Sequence, residues 1–127
     1  MTCLLDTHFV IWITSNRKRL RNFPWLSAYE PWTVSLTSLL EIQFLTESGK
    51  MKSQTPQLAD AIMSDIRFSV DEVSLAALVQ KSLQLGWTRD PFDRLIGAHS
   101  LVRRIPLCSV DEIILKNHKL LIPELLR

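Results

Sequence analysis

Four carboxylates stand where this chain can be expected to do chemistry. Asp6 ends the short apolar run Thr2-Cys3-Leu4-Leu5, and Glu41 falls near the start of a helical stretch. Asp93 stands three residues after Asp90 in Asp90-Pro91-Phe92-Asp93-Arg94-Leu95-Ile96, and Asp111 follows the apolar run at Pro106-Leu107-Cys108-Ser109. In open parallel sheets ligands bind beyond the carboxyl ends of the strands, and all four acids can reach that rim. Four converging carboxylates repel one another strongly unless a cation stands among them. All-oxygen ligation favours a hard ion, Mg²⁺ or Mn²⁺, over zinc. The sequence has no Cys/His grouping with zinc spacing and no glycine-rich phosphate loop. The chemistry such a group supports is metal-assisted attack of water on a phosphodiester.

Each acid also has a plainer reading. Asp90 reads first as the N-cap of a helix with Pro91 at its first position, and acids there complement the helix dipole. Glu41 would complete a capping box with Ser38, and spacing alone leaves that reading level with metal binding. Asp111 would cap a helix at Glu112. Asp6 has the weakest structural excuse, because a buried strand gains nothing by ending in an unpaired acid. Around the acids, Thr7 and Ser109 offer hydroxyls to water or phosphate oxygens, and Arg94 would pair with a carboxylate or meet phosphate. His99 falls on the inward face of its helix and reads as a satisfied core histidine. Arg17, Lys18, Arg19 and Arg21 read first as a solvated face, otherwise as a track for RNA phosphates. Trp87 and Arg89 flank the acids and would stack on or steer a single strand, unless Trp87 belongs to the core.

These residues need elements to hold them. Short apolar runs predict strands at Thr2–Leu5, Trp32–Ser35, Arg67–Val70 and Pro106–Ser109, with a last one at Leu120–Ile122. Between them, helices are expected from Asp6 or Thr7, from Thr37 or Ser38 to a stop at Gly49, and from near Pro56 to Ile66. Further helices are expected from Asp71 to a stop at Gly86, from Asp90, and from Asp111. Ser15–Arg21 reads as a loop or short solvated helix, and Phe23–Pro31 gives no firm expectation. The alternation argues for an α/β fold with a parallel sheet covered on both faces. At 127 residues the expectation is one domain, 1–127, with 46% hydrophobic and 22% charged residues. No apolar run approaches the roughly 18 residues of a membrane span, and Asp6 interrupts any signal-peptide core, so a cytoplasmic location is expected. Two cysteines, Cys3 and Cys108, read as reduced, buried thiols. A net charge of +2 is too small to argue for nucleic acid by itself.

Four segments together carry a family resemblance. Leu4-Leu5-Asp6-Thr7-His8 with Trp12, Ser35-Leu36-Thr37-Ser38-Leu39-Leu40-Glu41-Ile42, Asp90 to Ile96, and Leu107-Cys108-Ser109-Val110-Asp111 resemble the motifs of PIN-domain ribonucleases, in order and spacing. They look most like the VapC toxins of bacterial VapBC toxin–antitoxin pairs. Each segment alone is weak, but four in register are specific. The resemblance implies a PIN-like three-layer α/β/α sandwich with a mainly parallel sheet in the order 3-2-1-4-5. It also implies Mg²⁺- or Mn²⁺-dependent RNA cleavage, with Asp6, Glu41, Asp93 and Asp111 on the family's acidic quartet. It further implies a cognate antitoxin that blocks the cleft, and homodimers are common in the family. Ser109 stands where the family commonly has threonine, which keeps the hydroxyl, and Leu40 replaces a frequent aromatic residue. A catalytically silent, PIN-like protein-binding scaffold is the alternative, and the intact quartet argues against it. A phosphatase of another α/β family is disfavoured because no Asp-x-Asp pair follows the first strand.

Overall fold

The structure, a computed structural model, describes residues 2–51 and 57–126. Its sheet is built from four short parallel strands: β1 (Leu4–Leu5), β2 (Trp32–Ser35), β3 (Phe68–Asp71) and β4 (Leu107–Cys108), in the order β3-β2-β1-β4. Leu4 stands opposite Thr33 on one side and Leu107 on the other, and Ser35 stands opposite Asp71. The expected fifth strand is reduced to one parallel bridge, Leu107 to Leu121, so the order holds but the last position is not a full strand. The chain turns directly into a 3₁₀ helix at Pro123–Leu126, which carries it away from β4 after Ile122.

Alternation along the strands sends side chains to two cores. Cys3, Leu5, Trp32, Val34, Phe68 and Cys108 meet Phe9, Val10 and Ile13 of α1 (Thr7–Ser15) and Ile62 of α3 (Gln57–Ser64). Leu4 and Leu107 point the other way, to Ile96 of α5 (Pro91–Arg103) and Ile114 of α6 (Glu112–Asn117). Helices thus cover both faces. Burying each large aliphatic or aromatic side chain contributes roughly 1.5–3 kcal/mol, so the strands can be short and still be fixed in register. Phe23–Pro31, where no element was firmly expected, holds a 3₁₀ helix at Pro24–Tyr29, preceded by another at Arg17–Asn22.

Several helix boundaries differ from the sequence expectation, among them the end of α3, which stops at Ser64 rather than Ile66. α2 (Leu36–Glu47) starts at once after β2, because Ser35 itself is the N-cap and its Oγ accepts the Thr37 N–H at 3.1 Å. It stops as expected: Gly49 has φ +77, and the Gly49 and Lys50 N–H groups bond to the Thr46 and Leu45 carbonyls. α4 (Leu75–Ser82) is capped by Ser74 rather than Asp71, which instead ends β3. The helix also stops before Gly86. The expected start of α3 at Pro56 lies outside the described residues.

Candidate metal centre

The carboxyl ends of β1 and β4 are tied together first. The Asp6 N–H donates to the Cys108 carbonyl at 2.9 Å, which fixes Asp6 at the rim before α1 begins. One carboxylate oxygen of Asp6 caps α1 through the Thr7 N–H at 2.7 Å. The other accepts the Ser109 hydroxyl, also at 2.7 Å, and Ser109 Oγ in turn accepts the Asp111 N–H at 3.1 Å. Burial pushes the Asp6 carboxyl up; Ser109 and His8 pull it partly back, while Asp111 adds to the rise. Asp111 is the N-cap of α6, accepting the Ile113 and Ile114 N–H groups at 2.9 and 3.0 Å.

The second part of the site hangs from α2 and α5. The Thr7 hydroxyl donates to Ser38 Oγ at 3.0 Å in a fully buried contact, and this joins the start of α1 to the first turn of α2. Glu41 follows one turn later, in the second turn, so the capping-box reading fails: Ser35, not Ser38, caps this helix. Glu41 is only 7% exposed, and its Oε1 has no hydrogen-bond partner. Burial pushes its carboxyl up, the nearby Thr7 hydroxyl offsets part of this, and the charges of Asp6 and Asp90 add to it. The Thr7 proton is already directed at Ser38, so it relieves Glu41 less than a full hydrogen bond would.

Asp90 caps α5 as the sequence predicts, its Oδ1 accepting the Phe92 and Asp93 N–H groups at 2.8 and 3.3 Å. Asp93, half-buried, is pushed up to about 7, first by burial and then by Asp90, Asp6, Glu41 and Asp111. Among the described residues, Glu41, Asp90 and Asp93 bring ligand oxygens within 4.8 Å of one another. Asp6 and Asp111 stand outside that tight group, although their charges reach Asp93. A hard-oxygen set with one buried, unpartnered carboxylate oxygen fits Mg²⁺ or Mn²⁺.

The flanking residues are distributed unevenly. Arg94 makes no ion pair among the described residues; its Nε–H donates to the Thr88 carbonyl at 2.8 Å and holds the turn before α5. Trp87 packs against the cores around Ile96 and Ala98, and Arg89 is exposed and bonded to the Gly86 carbonyl. Arg17, Lys18, Arg19 and Arg21 are exposed on the 3₁₀ helix that follows the far end of α1. α1 spans about 13 Å at 1.5 Å per residue, so the cluster is separated from the acids by the length of that helix. Arg19 stacks over Trp12 at 4.6 Å. His99 is only half satisfied: its Nε2 bonds Asp71 at 2.8 Å, whereas its buried Nδ1 has no partner. Arg103 joins the same Asp71 oxygen at 2.9 Å. The sequence offered no signal for this clamp between β3 and α5, since its members are 28 and 32 residues apart.

Two solved structures share this architecture. A toxin–antitoxin complex from Klebsiella pneumoniae matches with a TM-score of 0.58 and 18% identity, over 96% of this chain and 93% of that one. VapBC2 from Rickettsia felis, bound to a DNA fragment from its promoter, matches with a TM-score of 0.63 and 22% identity, over 96% of each chain. No curated protein matches the sequence significantly. No helix among the described residues is long and apolar enough to cross a membrane. The PIN domain model matches residues 3–120, nearly the whole chain, and the chain therefore belongs to the PIN-domain family.

Proposed function

We propose that this protein is a Mg²⁺- or Mn²⁺-dependent endoribonuclease, the toxin of a toxin–antitoxin pair acting in the cytoplasm. The observation that carries this reading is the buried Glu41 Oε1, left without a donor beside Asp90 and Asp93. A buried carboxylate without a partner costs several kcal/mol on the order of an unpaired ion, and a divalent cation removes that cost. A bound ion would make water a better nucleophile and stabilise negative charge on a phosphodiester. The chain's own residues do the positioning. Ser109 fixes one Asp6 oxygen, Thr7 fixes the other, and the Thr7–Ser38 contact sets the height of Glu41 above the rim. Asp6, Glu41, Asp93 and Asp111 are the residues proposed to hold the ion and orient the attacking water, with Thr7 and Ser109 in support. The exposed Arg17–Arg21 cluster gives RNA phosphates a weaker, secondary contact.

Protein partners are supported by two exposed apolar ridges. Leu36, Leu40 and Phe44 line one side of α2, next to Glu41, and suit an antitoxin that covers the acids. Leu75 and Val79 of α4, with Leu83 just past its end, form the other and suit a second copy of this chain.

The test is cleavage of end-labelled RNA by the purified chain, alongside Glu41→Gln prepared identically. Cleavage is expected with Mg²⁺ or Mn²⁺, and neither EDTA-treated protein nor the variant should cut. Equal cleavage by the parent in EDTA, or by the variant with metal, would overturn the mechanism. An inert parent that no divalent ion stabilises would favour the silent scaffold.

A further inference from the structure

The cap at Asp90 uses only half of its carboxylate. Both amide bonds run to Oδ1, and no hydrogen bond among the described residues reaches Oδ2. A cap needs one oxygen and no charge, since asparagine and serine serve as well as aspartate. The second oxygen and the charge are therefore surplus to the helix. They sit in a poor place to be surplus, three residues before Asp93 and close to Glu41.

We propose that Asp90, besides capping α5, is a protein ligand of a divalent cation held between Glu41, Asp90 and Asp93. This rests on the reading of the chain as a metal-dependent nuclease. Oxygens sharing one octahedral Mg²⁺ at about 2.1 Å stand about 3.0 Å apart when adjacent and about 4.2 Å when opposite. The three carboxylates already fall within 4.8 Å of one another, so closing on an ion needs their oxygens to approach by at most about 1.8 Å, within reach of side-chain torsions. Two features point to an ion rather than to an accident of helix capping. Glu41, more than nine-tenths buried, brings a carboxylate with an unpartnered oxygen to the group. Asp93 is likewise without a protein donor for its carboxylate among the described residues, and it is not exposed to water on all sides. Asp6 differs from both, since Ser109 and the Thr7 amide satisfy its two oxygens. The cation position thus centres on α2 and the mouth of α5, and Asp6 and Asp111, proposed above to share the ion, approach it from the rim of β1 and β4.

Titration with Mn²⁺, followed by calorimetry and by thermal melts, tests this without any RNA. The full chain is compared with Asp90→Asn and Asp90→Ser, which keep the cap, and with Glu41→Gln. Both Asp90 variants should fold with unchanged helix content and bind Mn²⁺ at least tenfold more weakly. The weakening should persist in high salt, where mere removal of a distant charge would be screened. Binding by both Asp90 variants within twofold of the parent would overturn the proposal, as would a weakening that salt abolishes. If Glu41→Gln loses Mn²⁺ while the Asp90 variants keep it, Asp90 is only a cap and the metal-dependent reading stands. If the parent itself binds no Mn²⁺, both fall.

Discussion

Replacing Asp93 by asparagine should make the metal-free protein more stable, by a margin that grows from about pH 4 and is complete above about pH 7. Asp93 is pushed from 3.8 to about 7 by burial and by four neighbouring carboxylates. At 1.36 kcal/mol per pH unit that shift corresponds to about 4 kcal/mol, and water around a half-buried group reduces it to about 2. The sign follows from proton counting. Below pH 3.8 both folded and unfolded chains hold the proton, and Asp93 costs nothing. As pH rises towards 7 the unfolded chain releases it first, so the folded state loses stability, and above 7 the loss is complete. Asparagine carries no such charge and is nearly the same shape. Thermal melts of parent and Asp93→Asn in EDTA, at pH 4 and pH 8, measure the difference. At about 4 °C per kcal/mol for a domain of this size, the variant should melt about 8 °C higher at pH 8 and level with the parent at pH 4. Adding Mn²⁺ should raise the parent more than the variant, because binding stabilises in proportion to affinity. A variant less stable than the parent at pH 8 in EDTA would refute the crowding of carboxylates, and a gap independent of pH would refute the titration.

Other perturbations test the surrounding frame. Ser109→Ala leaves an Asp6 oxygen and the Asp111 N–H without their partner and should cost about 1–3 kcal/mol by denaturant titration, whereas Ser109→Thr, which keeps the hydroxyl, should cost much less. Arg104 closes α5 with a left-handed φ of +56; Arg104→Gly should raise stability by about 0.5–1 kcal/mol, and a loss would count against that conformation. Cys3 and Cys108 are both fully buried, and burial followed by the Cys3 thiol pushes Cys108 far up. Neither should react with a thiol reagent until the chain unfolds; rapid native labelling would contradict the register of β1 and β4.

What could be read from the sequence was local, and what could not was tertiary. The Asp90-Pro91 helix start is complete within four residues, so its cap was legible. Ser35 was misread because one residue both ends β2 and caps α2, and this moved Glu41 back by most of a turn. Asp71 looked like a cap because nothing nearby reveals that His99 and Arg103 will claim it. The 3₁₀ turns between Arg17 and Tyr29 follow a three-residue repeat that apolar periodicity does not register. The fifth strand had the right composition, yet only Leu121 reaches a partner. Family motifs pointed to the acids, but only coordinates separate Asp6, with both oxygens satisfied, from Glu41, with one left bare.

The hydrogen bond from Ser109 to Asp6 spans 103 positions of sequence, and this has a bearing on timing. A chain synthesised from its N-terminus presents Asp6 and Glu41 early, while Asp90, Asp93 and Asp111 do not yet exist. β1 cannot find β4, and the rim cannot close, until nearly every strand and helix is available. No early fragment holds more than two of the five carboxylates, so the candidate site stays incomplete through most of synthesis. If the proposed activity holds, this arrangement delays it until the last elements arrive, by which time a partner protein can already be present.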